Sequence, residues 1–187
     1  MGEAEAYNLA LKQSRGQYIL LLDSNNEVTG DIFTPLAKTL ADKDIGITGS
    51  HGMTTEDLRH FEESATPQVD AIVGSCLAFR RALLRQVGLF DEQYRSSYYM
   101  DIDFNFAVRD AGFEVVVTPD LPLSQHAPQP DTSLSDSTRA EQQRLNKRNF
   151  YRFLEKWGSR EDLLSDIDED ADEDNRDNEE DEDNEAE

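Results

Sequence analysis

Five apolar residues, Tyr18-Ile19-Leu20-Leu21-Leu22, run directly into the polar stretch Asp23-Ser24-Asn25-Asn26-Glu27. An acid, a spacer and a second oxygen-bearing side chain can aim two oxygens at one cation. Hard cations such as magnesium and manganese take oxygen ligands and bridge readily to phosphates. The competing reading is a plain turn, because Asp, Ser and Asn satisfy their own backbone in turns. A calcium loop of the EF-hand kind is excluded: Val28 stands where that loop needs glycine, and Thr34 where it needs a bidentate acid. Asp101 and Asp103 open a helical stretch, where capping and the helix dipole favour carboxylates on their own account. Asn8 and Ser75 can serve simply to satisfy backbone groups, and His126 lies near prolines in a polar stretch typical of surface. Tyr94, Tyr98 and Tyr99 can stack on a ligand or cover the core.

These residues need elements to hold them. Residues 3–12 read as a helix, closed near Ser14-Arg15-Gly16 by a glycine C-cap. The run 18–22 is too short for a helix and reads as a strand buried on both faces, hence a parallel or mixed sheet flanked by helices. Its polar loop then lies at the strand's C-terminal end, where open α/β sheets bind ligands. A helix is expected over 31–40 and a short strand over 45–48, followed by an irregular loop over 51–66. A second buried strand is expected within 69–79 and a helix over 80–87, closed by Gly88. An aromatic loop over 94–99 leads to a helix over 101–111 with Asp101 as N-cap and Gly112 as C-cap. The pattern continues with a strand over 115–117, a loop over 124–136 and an amphipathic helix over 139–157, ended by Gly158. Strands alternating with helices make the chain α/β.

Charge divides the chain in two. Glu161–Glu187 holds 17 acidic residues and one basic residue, a net of −16 out of −22, which leaves −6 for residues 1–160. The acidic stretch has almost no apolar residues and is expected to be disordered. Residues 1–158 then form one domain and 159–187 an acidic disordered tail. Neither part has the basic patch of a nucleic-acid binder. The single cysteine, Cys76, sits in an apolar run and reads as a small buried hydrophobe. No apolar stretch is long enough for a transmembrane segment, and the start lacks the features of a signal peptide. A cytoplasmic protein, at most peripheral to a membrane, is the expectation.

The order of short motifs resembles the family 2 glycosyltransferases. Ala6-Tyr7-Asn8 is similar to the family's Ala-x-Asn helix element, and Tyr18 to Asn25 to its strand ending in the Asp-x-Asp metal and nucleotide motif. Val73-Gly74-Ser75 through Arg80-Arg81 resembles the Gly-rich strand leading to an Arg-Arg helix. Val87-Gly88-Leu89-Phe90-Asp91-Glu92 resembles the Gly-x-Phe-Asp-Glu turn. Asp101-Ile102-Asp103-Phe104, with Arg109, Ala111, Gly112 and Phe113, is similar to the Glu-Asp-x-Asp-Leu helix and the Ala-Gly-Tyr turn. His126 falls where the family often has a histidine, and Lys156-Trp157-Gly158 resembles a common ending.

The resemblance implies a partial GT-A, Rossmann-like mixed sheet. It implies inverting transfer of a sugar from a nucleotide-diphosphate donor to a hydroxyl on a glycan or other acceptor. On that resemblance Asp101 is the catalytic base, and Asp103, Gly74 and Ser75 orient the acceptor. Asn8 and Asp23 bind the nucleotide sugar. Asp23, Asn25 and His126 hold a divalent cation, manganese or magnesium.

Three departures stand out. Asn25 replaces the second acid of Asp-x-Asp, Met100 replaces the Glu before Asp101, and the family's opening nucleotide-binding strands have no counterpart. The expectation is therefore a fragment, a mis-called start, or one half of a split protein, with a missing N-terminal segment or a partner chain. The alternative to an enzyme is a non-catalytic GT-A remnant whose acidic tail binds basic partners.

Overall fold

The computed structural model describes residues 2–64, 66–125 and 136–165. His126 and residues 166–187 lie outside them, so the expectations placed on that histidine and on a disordered tail fall outside the described residues. Helix α1 spans Glu3–Gln13 and strand β1 Tyr18–Leu22. Strand β2 is Asn26–Val28, helix α2 Phe33–Thr39 and strand β3 Ile45–Gly49. Strands β4 (Gly52–Thr54), β5 (Glu62–Ser64), β6 (Ala71–Ile72) and β7 (Cys76–Arg80) follow. A 3-10 turn, Arg81–Leu83, enters α3 (Leu84–Val87), which is followed by α4 (Met100–Asp110), β8 (Glu114–Val117), β9 (Leu123–Gln125) and α5 (Asp136–Trp157). The packed chain runs past Gly158 into a 3-10 turn at Glu161–Leu163, where Leu163 is buried against the core.

The main sheet has the order β1-β7-β3-β8, with β3 and β8 parallel and the other pairs antiparallel. It is the mixed sheet flanked by helices that the sequence predicts. Alternation along β7 builds two cores, since successive side chains leave a strand on opposite faces. Cys76 and Ala78 pack with Ile32, Leu36 and Leu40 from α2 and its two flanking residues. Leu77 and Phe79 face the larger core, where the Phe79 ring lies 5.2 Å from Phe104 of α4. Burial pushes the Cys76 thiol up to about 11, the behaviour of an inert apolar side chain.

Three expectations change. First, among the described residues β1 is an edge strand paired only with β7; Ile19 is its buried residue, while Tyr18 and Leu22 are 47% and 38% exposed. Second, residues 51–66 are not an irregular loop. β4 pairs antiparallel with β5 and with β6 in a small second sheet. Third, Asp101 is not the N-cap of α4. Tyr99 holds that position in a left-handed conformation, φ 65°, which places Asp101 inside the first turn. Gly112 does close α4: at φ 85° its N–H donates to Arg109 O, and Phe113 N–H donates to Val108 O, a Schellman ending.

Candidate active site

The C-terminal end of β1, the turn between β6 and β7 and the start of α4 converge on one cleft of about 790 Å³, which Asp23, Gly74 and Asp101 all line. The Asp23 loop is tied to the β6–β7 turn through one carbonyl. Ser75 O accepts the Asp23 N–H at 3.0 Å and Asn26 Nδ2 at 2.5 Å. Within the loop, Asp23 Oδ1 accepts the Asn25 N–H at 2.7 Å, leaving Oδ2 free to face a ligand. Asn25 is exposed on the same loop. Behind it, His51 Nδ1 lies 2.7 Å from Ser50 Oγ and 3.1 Å from Ser75 Oγ.

Asp101 is held from two sides. Its Oδ2 accepts the Gly74 N–H at 2.7 Å, and its Oδ1 accepts the Ile102 N–H at 2.9 Å. Residue 74 must be small for this approach, because a Cβ there would stand 3.1 Å from Asp101 Oδ2. Asn105, fully buried one turn along α4, fixes the distance between helix and turn. Its Oδ1 accepts the Ile72 N–H at 3.0 Å, and its Nδ2 donates to Ile72 O at 3.0 Å and Asp101 O at 2.8 Å. Asp101 keeps partial solvent contact, but burial of its carboxyl dominates and pushes its pKa up to about 6. The Gly74 and Ile102 N–H groups pull the other way, and Glu3 adds a small push upward. A carboxylate poised there is ionised at neutral pH and basic enough to take a proton from a hydroxyl. Tyr99, which starts the helix, donates its hydroxyl to Arg59 O at 3.2 Å, and its burial raises that hydroxyl to about 12.

Other expected site residues do structural work instead. Asn8 is buried away from the cleft. Its Nδ2 donates to Phe90 O at 2.8 Å and Glu92 Oε1 at 3.0 Å, and its Oδ1 accepts the Phe90 N–H at 3.0 Å. It clamps α1 to the Phe-Asp-Glu turn, whose Asp91 accepts from Arg152 of α5 at 2.6 Å. Asp103 lies about 200° around the helix from Asp101 and does not line the cleft. Its carboxylate is buried among Lys156 Nζ at 2.9 Å, Trp157 Nε1 at 2.8 Å and Tyr94 Oη at 3.2 Å, so it fastens α5 to α4. Ser75 contributes its carbonyl to the loop rather than a side chain to the cleft. Tyr94 is fully buried and Tyr99 nearly so; Tyr98 is 50% exposed. Arg80 clamps the carbonyls of Leu40, Asp42, Lys43 and Ile45, and Arg81 those of Gly16 and Leu11, so the Arg-Arg pair holds loops together. His51 and Asn105 were not expected here; their only signal is a polar side chain inside an otherwise apolar or strand-like stretch.

The residues present suit a magnesium or manganese ion of the phosphate-bridging kind, which takes one or two protein oxygens and completes its shell with substrate phosphates and water. Asp23 Oδ2 and Asn25 Oδ1 are the candidates for the protein's share. Among the described residues no group of three or more His, Cys, Asp or Glu side chains could hold a metal ion on its own. Also among them, no helix is long and apolar enough to cross a membrane.

No protein-family model matches the chain, and no curated protein matches it in sequence. Solved structures do. One is GalNAc-T7 with UDP, GalNAc and Mn2+, at TM-score 0.66 and 12% identity, over 86% of this chain and 36% of that one. Another is the mannosyltransferase PcManGT from Pyrobaculum calidifontis, in complex with GDP-Man and Mn2+. It matches at TM-score 0.56 and 21% identity, over 81% of this chain and 44% of that one. The chain thus spans less than half the length of either neighbour. Both neighbours are GT-A-type glycosyltransferases, and the α/β fold of this chain is of that type.

Proposed function

We propose that this chain is the metal- and acceptor-side part of an inverting, family 2-like glycosyltransferase acting on a nucleotide-diphosphate sugar. The observation that carries the reading is the convergence of Asp23, Gly74 and Asp101 on one cleft at the strand ends of a GT-A-type sheet. Asp101 takes the proton from the acceptor hydroxyl. The hydroxyl oxygen bonds to the anomeric carbon from the face opposite the leaving group, and the bond to the diphosphate breaks. The electron pair leaves with the diphosphate, so the configuration inverts. Gly74 N–H and Asn105 hold Asp101 in place. A divalent cation on Asp23 and Asn25 would supply countercharge to the departing diphosphate.

The test is calorimetric titration of UDP- and GDP-sugars with manganese, together with release of nucleoside diphosphate. Both are run on the chain alone and on the chain co-expressed with any coding segment found to precede it. Asp101→Asn should lower turnover by about two to four orders of magnitude, the usual worth of a general base, with donor affinity unchanged. Donor binding absent in both preparations would overturn the enzymatic reading and leave the interaction module.

A further inference from the structure

We propose that the acceptor is an anionic saccharide and that Arg59 and Lys147 hold its charged group; the proposal rests on the glycosyltransferase reading above. A groove of about 420 Å³ continues from the cleft and shares Arg59, Tyr98, Tyr99 and Asn146 with it. Gln143, Lys147 and Phe150 complete its wall. The lining therefore holds two cations and no carboxylate.

Both cations lack a carboxylate partner among the described residues. Helix α5 carries six basic and three acidic residues. Arg152 pairs with Asp91, Lys156 with Asp103 and Arg144 with Glu141. Among the described residues, neither Arg59 nor Lys147 is ion-paired. Lys147 Nζ sits 6.0 Å from the Tyr151 ring, and the Arg59 guanidinium touches only Asp57 O at 3.3 Å. The Asp57 carboxylate is engaged by the backbone N–H groups of Arg59 and His60 and by the His60 ring, which hold its pKa below the usual carboxylate range. A groove lined by unpaired cations concentrates anions.

The rest of the lining suits a sugar. Tyr98 is half exposed and braced edge-on by Tyr99 at 4.8 Å, so its ring offers a fixed platform. Asn146 Oδ1 accepts from Ser96 and Gln142, which leaves its Nδ2 as a donor for a hydroxyl. Asp101, at the cleft end, takes the reacting hydroxyl; the anion lies at the groove end.

The experiment uses the full chain and three probes in calorimetry at low salt: cellobiose, the corresponding uronic-acid disaccharide, and cellobiose 6′-phosphate. One or both anionic probes should bind about tenfold tighter than cellobiose, the worth of one charge-assisted contact. The stronger of the two identifies carboxylate or phosphate as the natural group. Arg59→Gln combined with Lys147→Gln, both exposed positions, should erase the difference, while Asp101→Asn leaves it intact. Equal affinity for all three probes overturns the proposal, and so does a preference that survives the double substitution. Failure of every disaccharide to bind also overturns it. None of these outcomes touches the donor titration on which the glycosyltransferase reading stands.

Discussion

Asp101→Asn should stabilise the protein at neutral pH and lose that advantage in acid. The folded protein holds the Asp101 carboxyl at about 6 against an ordinary value of 3.8. That gap of about two pH units, at about 1.4 kcal/mol each, caps the effect at about 3 kcal/mol. The sign follows from proton counting. Between the two values the folded chain keeps its proton and the unfolded chain has released it, so stability falls as pH rises. The contribution is fully present below 3.8 and is lost once pH has passed about 6.

The asparagine variant has no such titration, and every other carboxylate titrates in both proteins and cancels in the difference. Beginning at about pH 5, clear of the sequence pI of about 4.3, leaves about 1.4 kcal/mol of the effect inside the window. Partial solvent contact trims it further. For a chain of this size that is a gap in Tm between variant and parent widening by about 2–5 °C from pH 5 to pH 7.5. The constant part of the difference, from one backbone N–H that the amide cannot serve, moves both ends equally. Scanning calorimetry at matched ionic strength reads the gap. Parallel Tm curves, or a gap that narrows toward neutral pH, would refute the raised carboxyl and with it the case for Asp101 as a poised base.

Asn25→Asp should tighten manganese binding to the Asp23 loop, because a carboxylate replaces an amide oxygen; equal or weaker binding by calorimetry removes the loop from the metal site. Lys156→Met should cost about 3 kcal/mol in urea unfolding, since it leaves the Asp103 carboxylate buried without its countercharge. A loss below about 0.5 kcal/mol would mean that water replaces the lysine there.

Much of the fold was legible because its elements carry strong local patterns. The apolar run of β1, the Gly112 ending of α4 and the aromatic face of α5 each announce themselves. What was not legible depends on neighbours distant in sequence. Tyr18–Leu22 is as apolar as a central strand, yet it lies at an edge, and nothing local distinguishes the two. β4 and β5 are three residues each, too short to show alternation, and their place is fixed only when Gly52 meets Ser64 on one side and Ile72 on the other. At the site, only the resemblance to the family's order of motifs joins Asp101 to Asp23, since nothing local links two residues so far apart in sequence. The sequence cannot tell Asp101 from Asp103, since both fit a helix start. The difference arises only when Lys156 and Trp157 arrive from more than fifty residues away to claim the second carboxylate. Asn8 misleads for the same reason: its partners at Phe90 and Glu92 lie over eighty residues away.

The edge position of β1 bears on how the protein behaves in a tube. An apolar strand whose outer amides and carbonyls meet no partner strand among the described residues is a template for another copy of itself. A net charge of −22 opposes that encounter through long-range repulsion, but repulsion reaches only about 10 Å at 0.1 M salt and less above it. Colloidal behaviour should therefore depend on the buffer more than on the fold. Dilute salt at neutral pH keeps the copies apart, whereas concentrated salt or a pH near 4.3 brings edges within pairing distance while every core contact remains intact.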